Sequence, residues 1–251
     1  MEMSTYTQTE CPKCDSSDAF TIYDDGAHCF SCNYSTKKVT NNMEETNEIA
    51  FAPVASAINI QEIKELNSFP ITSRKISKQV IDHFGIKMSV HPNGSSGSHF
   101  YPYTKDNKIV AYKERKPPKD FRTHGDFKGV ELFGQSTATG GKTVVITEGE
   151  LDACAVAQAF LDKYNKIFPV VSIPSASGTN VLLEQRTWLR QFESVILLFD
   201  SDTAGQTAIE KAAKIIGAGK VKVGSLKGCK DPCELLMNYG SQALLQAYWD
   251  A

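Results

Sequence analysis

VVITEGELDA (144–153) reads as an apolar strand that turns directly into a helix, and VILLFDSDTAG (195–205) repeats the pattern. In each, a carboxylate stands just past the strand: Glu148 in the first, Asp200 in the second, with Asp202 two residues on. Two further apolar runs, PVVSI (169–173) and KVKV (220–223), alternate with helical stretches over 149–163, 179–191, 204–216 and 232–248. Continuous apolar runs suit strands buried on both faces, and β–α alternation implies a mostly parallel sheet covered by helices on both sides. The region 140–251 is therefore expected to be an α/β domain.

In open sheets of this kind, ligands bind beyond the carboxyl ends of the strands. Carboxylates gathered there repel one another unless a cation neutralises them, and hard oxygen donors suit Mg²⁺ or Mn²⁺ bridging to substrate phosphates. Asp231, in GCKDPCELL (228–236), is a fourth candidate because it follows the run at 220–223 and precedes the last helix. A plainer reading competes for each residue alone: Asp202 or Thr203 caps a helix, and Glu148 sits in a solvated first turn. It is harder to sustain for acids at three strand ends at once. GlyGlyLysThr at 140–143 is not a phosphate-binding P-loop, since Ser136 stands where its first glycine belongs and a strand follows.

Upstream, 61–139 is expected to form an α+β subdomain. ISKQVIDHFG (76–85) has the period of a helix with a glycine stop, and 98–133 reads as short strands, with a turn at LysAspAsnLys (105–108). Residues 105–128 hold eight Lys/Arg against four Asp/Glu, although the whole chain carries a net charge of −2. That distribution fits a local basic groove better than bulk coating of nucleic acid, with a solvated charged face as the alternative.

The first 36 residues are polar and cysteine-rich. Cys11-x2-Cys14 and Cys29-x2-Cys32 have the spacing of two knuckles that together hold one structural Zn²⁺. Redox-active or unpaired thiols are the alternative. Tyr23, His28, Phe30 and Tyr34 would either stack on bases or pack a very small core. Residues 37–60 read as a linker, and Cys154, Cys229 and Cys233 read as core thiols. No run approaches the roughly 18 apolar residues of a membrane span, and MEMSTYTQTE lacks the regions of a signal peptide. A cytoplasmic protein with no membrane association is expected.

ThrGluGlyGlu (147–150) and AspSerAspThrAlaGly (200–205) resemble the two signature motifs of the TOPRIM domain, shared by bacterial-type primases, topoisomerases, some nucleases and the recombination mediator RecR. The order of parts resembles the primase half of the phage T7-type primase-helicases: a four-cysteine ribbon (1–36), a linker (37–60), a basic subdomain (61–139) and TOPRIM (140–251). Lys113-Glu114-Arg115 and LeuPheGly at 132–134 add to the likeness. The resemblance implies synthesis of RNA primers from ribonucleoside triphosphates on single-stranded DNA. Glu148 would act in acid–base chemistry or metal binding, Asp200 and Asp202 would bind Mg²⁺ or Mn²⁺, and Asp231 would be a later acidic member. Lys113, Arg115, Lys119 and Arg122 would meet nucleotide and template phosphates, and the zinc module, around His28, would read the template. A replicative helicase domain or protein is the implied partner, with a DNA polymerase as a second, in the host cytoplasm of a phage-encoded protein. No P-loop is present, so helicase activity is not expected of these residues.

Two other readings share the motifs. A TOPRIM nuclease could use the same metal site but leaves the N-terminal ribbon without a purpose. A non-catalytic clamp resembling RecR would need a helix-hairpin-helix element before its zinc site, and only ten residues precede Cys11.

Overall fold

The computed structural model describes residues 7–9, 11–13, 20–23, 26–29, 34–38, 51–53, 59–91, 96–116, 120–174 and 179–251. The chain divides into two units, Met1–Ile58 and Asn59–Ala251. In the first, the described strands are β1 (Thr7–Thr9), β2 (Phe20–Tyr23), β3 (Gly26–Cys29), β4 (Ser35–Lys38) and β5 (Phe51–Pro53), each antiparallel to the next. β5 lies in the stretch expected to be linker, and its pairing of Phe51 with Lys38 extends the sheet of the first unit into that stretch.

The second unit opens with α1 (Ile60–Lys64) and α2 (Lys78–Phe84). As the glycine stop predicts, Gly85 takes a left-handed conformation (φ 67°), and its N–H closes α2. An antiparallel sheet follows: β6 (Lys87–Val90), β7 (Ser96–Lys105), β8 (Lys108–Lys116) and β9 (Asp120–Gly125). The turn expected at 105–108 joins β7 to β8, with Asp106 and Asn107 at φ 51° and 59°. Two positive φ values in a two-residue loop match the twist of the strands they connect.

Then come β10 (Thr143–Thr147), α3 (Glu150–Tyr164), β11 (Val170–Ser172), α4 (Asn180–Glu184), α5 (Arg186–Leu189), β12 (Ser194–Leu198), α6 (Thr203–Ile216), β13 (Val221–Val223) and α7 (Pro232–Trp249). The four strands are parallel in the order β11-β10-β12-β13, the parallel α/β sheet expected. The expected helix over 179–191 is two short ones meeting at Gln185, and the last helix bends at Gly240, whose φ of 79° is not helical.

Strand alternation sends Val145, Ile196 and Leu198 to one face and Val144, Ile146, Val195, Leu197 and Phe199 to the other. The second face packs on α4, α5 and α6. On the first lies α3, buried from Ala153 to Leu161. Its run of alanines is what lets one helix be covered by the sheet, α2 and α7 together, since a larger residue at any of those points would push a neighbour away. The same cluster takes in Phe84, Tyr101, Tyr103 and Phe133. The boundary expected at 139/140 is thus a change of sheet topology within one continuous core. Cys154, Cys229 and Cys233 are buried in it, as expected of core thiols.

Phe133 is fully buried, with ring centroids 5.0 Å from Phe84, 5.8 Å from Tyr101 and 6.1 Å from Tyr103. Phe133→Ala is expected to cost about 3–5 kcal/mol, measured by urea denaturation. A loss under about 1 kcal/mol would show that the two sheets do not depend on this shared cluster.

Candidate catalytic site

From β10 the chain passes through α3 to β11 on one side, then returns to the other side of β10 to form β12. The direction of strand addition reverses between β10 and β12, which opens a crevice at their carboxyl ends. Thr147 and Leu198 pair across this junction. Glu148 follows the first directly, and Asp200 follows the second by two residues. The backbone N–H of Asp200 donates to Glu148 Oε1 at 3.0 Å. Gly205, in the first turn of α6, approaches the same point. A Cβ there would lie 2.0 Å from the Asp200 carbonyl oxygen and 2.8 Å from Glu148 Oε1, so the helix can begin this close only on a glycine.

The acids gathered here alter one another. Burial, then the Asp200 charge, pushes the Glu148 carboxyl up to about 7, even though the Asp200 N–H favours its ionised form. Burial also raises Asp200; Lys230 opposes that rise, and Asp231 and Asp202 add to it. Lys230 Nζ stands 3.5 Å from Asp200 Oδ2. Asp202 is exposed and caps α6, accepting from Gly205 N–H at 2.9 Å. Asp231 caps α7, accepting from Glu234 N–H at 2.7 Å. The capping role weighed against a site role is therefore real for Asp202, and Asp231 takes the same role without its having been expected. Each cap uses one oxygen, and a carboxylate has two. Among the described residues, no three His, Cys, Asp or Glu converge as a ready-made cation cage. The donors present fit an ion that keeps much of its water and shares substrate phosphates, as Mg²⁺ usually does.

Two acids in the first turn of α3 were not singled out by sequence reasoning. Asp152 is buried and accepts from Cys233 N–H at 3.1 Å, tying α3 to the start of α7. Its carboxyl is driven up by burial and then by Asp231. Glu150 is buried, accepts from Tyr103 Oη at 2.6 Å and pairs with Lys113 Nζ at 2.9 Å. A signal was present: Glu150 and Asp152 are acids at the head of a helix otherwise apolar enough to be buried, a place such side chains occupy only with a polar partner.

The basic stretch divides. Lys113 points inward: its ammonium holds Glu150, donates to the Pro174 carbonyl at 2.7 Å and lies 5.1 Å from the Phe121 ring centroid. Arg115, two residues on, lies opposite His99 across β7 and β8 and close to Tyr101. Arg122 is exposed and 3.5 Å from Asp120, the solvated charged face of the alternative reading. Lys119 lies outside the described residues.

In the first unit, Cys11 and Cys29 are fully buried in one small cluster with Phe20 and Ala27. Lys13 N–H donates to Cys11 Sγ at 3.4 Å. Cys14, Cys32 and Phe30 lie outside the described residues, as does the side chain of Tyr23. Tyr34 stacks on Phe20, with ring centroids 6.0 Å apart, a packing role. His28 is half-buried, with Nδ1 2.5 Å from Ser35 Oγ.

The fold and the acidic crevice define a Toprim-like domain, and residues 145–236 match the Toprim-like family model. The chain belongs to the primase family of the phage T7-type primase-helicases. It is 30% identical to the primase fragment of the bacteriophage T7 primase-helicase protein, covering 98% of this chain and 100% of that one with a TM-score of 0.68. It is 34% identical to a T7 primase domain solved with the T7 lagging-strand DNA polymerase, over 77% of this chain and 96% of that one, with a TM-score of 0.66. The DNA helicase/primase of Enterobacteria phage T3 is 32% identical over 96% of this chain and 43% of its own length. The chain therefore spans less than half of that relative. Primase and Toprim homology points to a metal-dependent enzyme. No helix among the described residues is long and apolar enough to cross a membrane.

Because Glu148 keeps its proton to about 7 when folded, against 4.5 for the ordinary carboxyl, the folded chain binds more protons than the unfolded one between those values. In the absence of divalent metal, stability should therefore fall as pH rises through that window, and Glu148→Gln should remove this part of the slope. Urea melts in chelator at about pH 5 and about pH 8 test this, and identical slopes for the two proteins would contradict it.

Proposed function

We propose that this chain is a DNA primase domain that joins ribonucleoside triphosphates into short RNA primers on a single-stranded DNA template by metal-dependent nucleotidyl transfer. The observation that carries this reading is the Glu148–Asp200 pair. Two carboxylate residues meet at the sheet's switch point, one with its carboxyl pushed up to about 7, in a chain similar to a phage primase over its whole length.

In this reaction the 3′-hydroxyl of one ribonucleotide attacks the α-phosphorus of the next, and pyrophosphate leaves. Asp200, with Asp202 and Asp231 through the oxygens that capping leaves available, would hold divalent metal. Mg²⁺ or Mn²⁺ bound there would offset the charge of the triphosphate and lower the pKa of the attacking hydroxyl. Glu148, whose carboxyl burial and the Asp200 charge push up in the metal-free site, would serve as the acceptor of the hydroxyl proton. Arg115, Lys119 and Arg122 meet nucleotide and template phosphates. Lys113 acts at one remove, setting Glu150 and so the first turn that follows Glu148.

The four cysteines of the first unit hold one structural Zn²⁺. The Lys13 N–H on Cys11 Sγ and the burial of Cys11 beside Cys29 suit thiolates turned to a common centre. His28, at the edge of that module, takes part in reading template bases. The T3 relative is named a helicase/primase, and the T7 primase domains were solved with the lagging-strand polymerase, an RNA/DNA hybrid and dTTP. By extension, the partners of this chain are a replicative helicase and a DNA polymerase, in the cytoplasm of the host.

The test is incorporation of labelled ribonucleotides on single-stranded templates of varied sequence, with a helicase partner supplied. Wild type should give short RNA on particular templates, and Asp200→Asn and Asp202→Asn should lower the yield about a hundredfold or more with DNA binding kept. Template cleavage without ribonucleotides, and no RNA, would replace the primase reading with a nuclease.

A further inference from the structure

Lys230 is the one basic side chain that meets the acidic crevice directly among the described residues, and its setting divides it in two. Its backbone is fixed. The carbonyl accepts from Ser201 N–H at 2.8 Å, which ties the loop after β12 to the loop before α7. Its own N–H donates to Glu234 Oε2 at 2.5 Å, while Asp231 caps the same helix turn. Pro232 fills the first helical position, where no N–H is needed. The ammonium, by contrast, is held loosely. Its side chain is 53% exposed, against 20% for Asp200, and the 3.5 Å separation is long for an ion pair. A rigid root and a loose tip describe a group that can leave Asp200 without disturbing the backbone of either loop.

We propose that Lys230 is a built-in counter-ion for Asp200, which neutralises the crevice while metal is absent and gives up its place when a divalent cation binds. This inference rests on the metal site of the proposed function. Glu148, Asp200, Asp202 and Asp231 stand at the ends of two strands and the caps of two helices; Lys230 is paired with Asp200 and lies within electrostatic reach of the other three. A divalent ion at Asp200 and an ammonium within a few ångströms repel each other, so the two occupancies compete. The lysine thus sets how much free cation is needed to load the site, and it spares the empty crevice its own repulsion. Its part is positioning; it forms no bond to the reacting atoms.

Removing the charge should show both effects. Mn²⁺ binding to the full chain, without nucleotide, is measured by electron paramagnetic resonance of free Mn²⁺ for wild type, Lys230→Gln, Lys230→Arg and Asp200→Asn. Lys230→Gln should bind Mn²⁺ about three- to tenfold more tightly, the size expected of one unit charge acting on a divalent ion across partly solvated space, and Lys230→Arg should stay near wild type. In chelator, Lys230→Gln should melt lower than wild type, and saturating Mn²⁺ should close the gap. Mn²⁺ affinity in Lys230→Gln that equals wild type or falls below it would overturn the proposal. If wild type itself binds no Mn²⁺, or Asp200→Asn binds as well as wild type, the metal-site reading falls and this inference falls with it. Tight wild-type binding lost in Asp200→Asn, with Lys230→Gln unchanged, removes this inference alone.

Discussion

Carboxylates repel, yet this fold brings Glu148 and Asp200 together so that one accepts the backbone N–H of the other at 3.0 Å. The sheet makes that approach unavoidable. β10 and β12 are adjacent and parallel, and each ends just short of its acid. What the sheet forces, the surroundings partly relieve: the N–H stabilises the ionised form of Glu148, Lys230 stands by Asp200, and the positive end of α6 begins at the same point. Burial outweighs these and leaves the Glu148 carboxyl at about 7. A proton or a cation would relieve the rest, which is the electrostatic basis of the proposed metal site.

The rest of the second unit holds that crevice still. Helix α3 starts two residues after Glu148, and its first turn is anchored twice. Glu150 reaches Tyr103 and Lys113 of the antiparallel sheet, and Asp152 holds the first turn of α7 through Cys233 N–H. Both anchors are buried carboxyl groups, costly to bury without partners, and both join elements distant in sequence. Lys113 thus acts as a strut between the sheets, its ammonium engaged by Glu150 and the Pro174 carbonyl. The alanine-rich body of α3 permits this by lying flat between the parallel sheet and the helices over it.

Much of this was legible in the residues. Continuous apolar runs declared the parallel sheet, the turn at Lys105–Lys108 declared the β7–β8 hairpin of the antiparallel sheet, and the strand-end positions of Glu148 and Asp200 declared the crevice. Other features were not legible, for physical reasons. That Asp231 would spend an oxygen on a helix cap, as Asp202 does, follows from local backbone geometry, which a strand–turn–helix pattern leaves open. That Lys113 would turn inward depended on Glu150, thirty-seven positions away, and no local period encodes such a partner. The break at Gln185 and the bend at Gly240 were hidden because a helical period survives a short interruption. The pairing of β5 with β4 was missed because a polar, aperiodic stretch can still lend three residues to a sheet edge.

The central claim is that the strand-end acids form a cation site, and anomalous diffraction from crystals of the protein soaked in Mn²⁺ tests it most directly. The account predicts a peak in the crevice within about 2.2 Å of an oxygen of Asp200, with Glu148 or Asp202 facing it directly or through water, and the Lys230 ammonium moved off Asp200. A crevice without a peak at saturating Mn²⁺, with Lys230 still paired to Asp200, would contradict it.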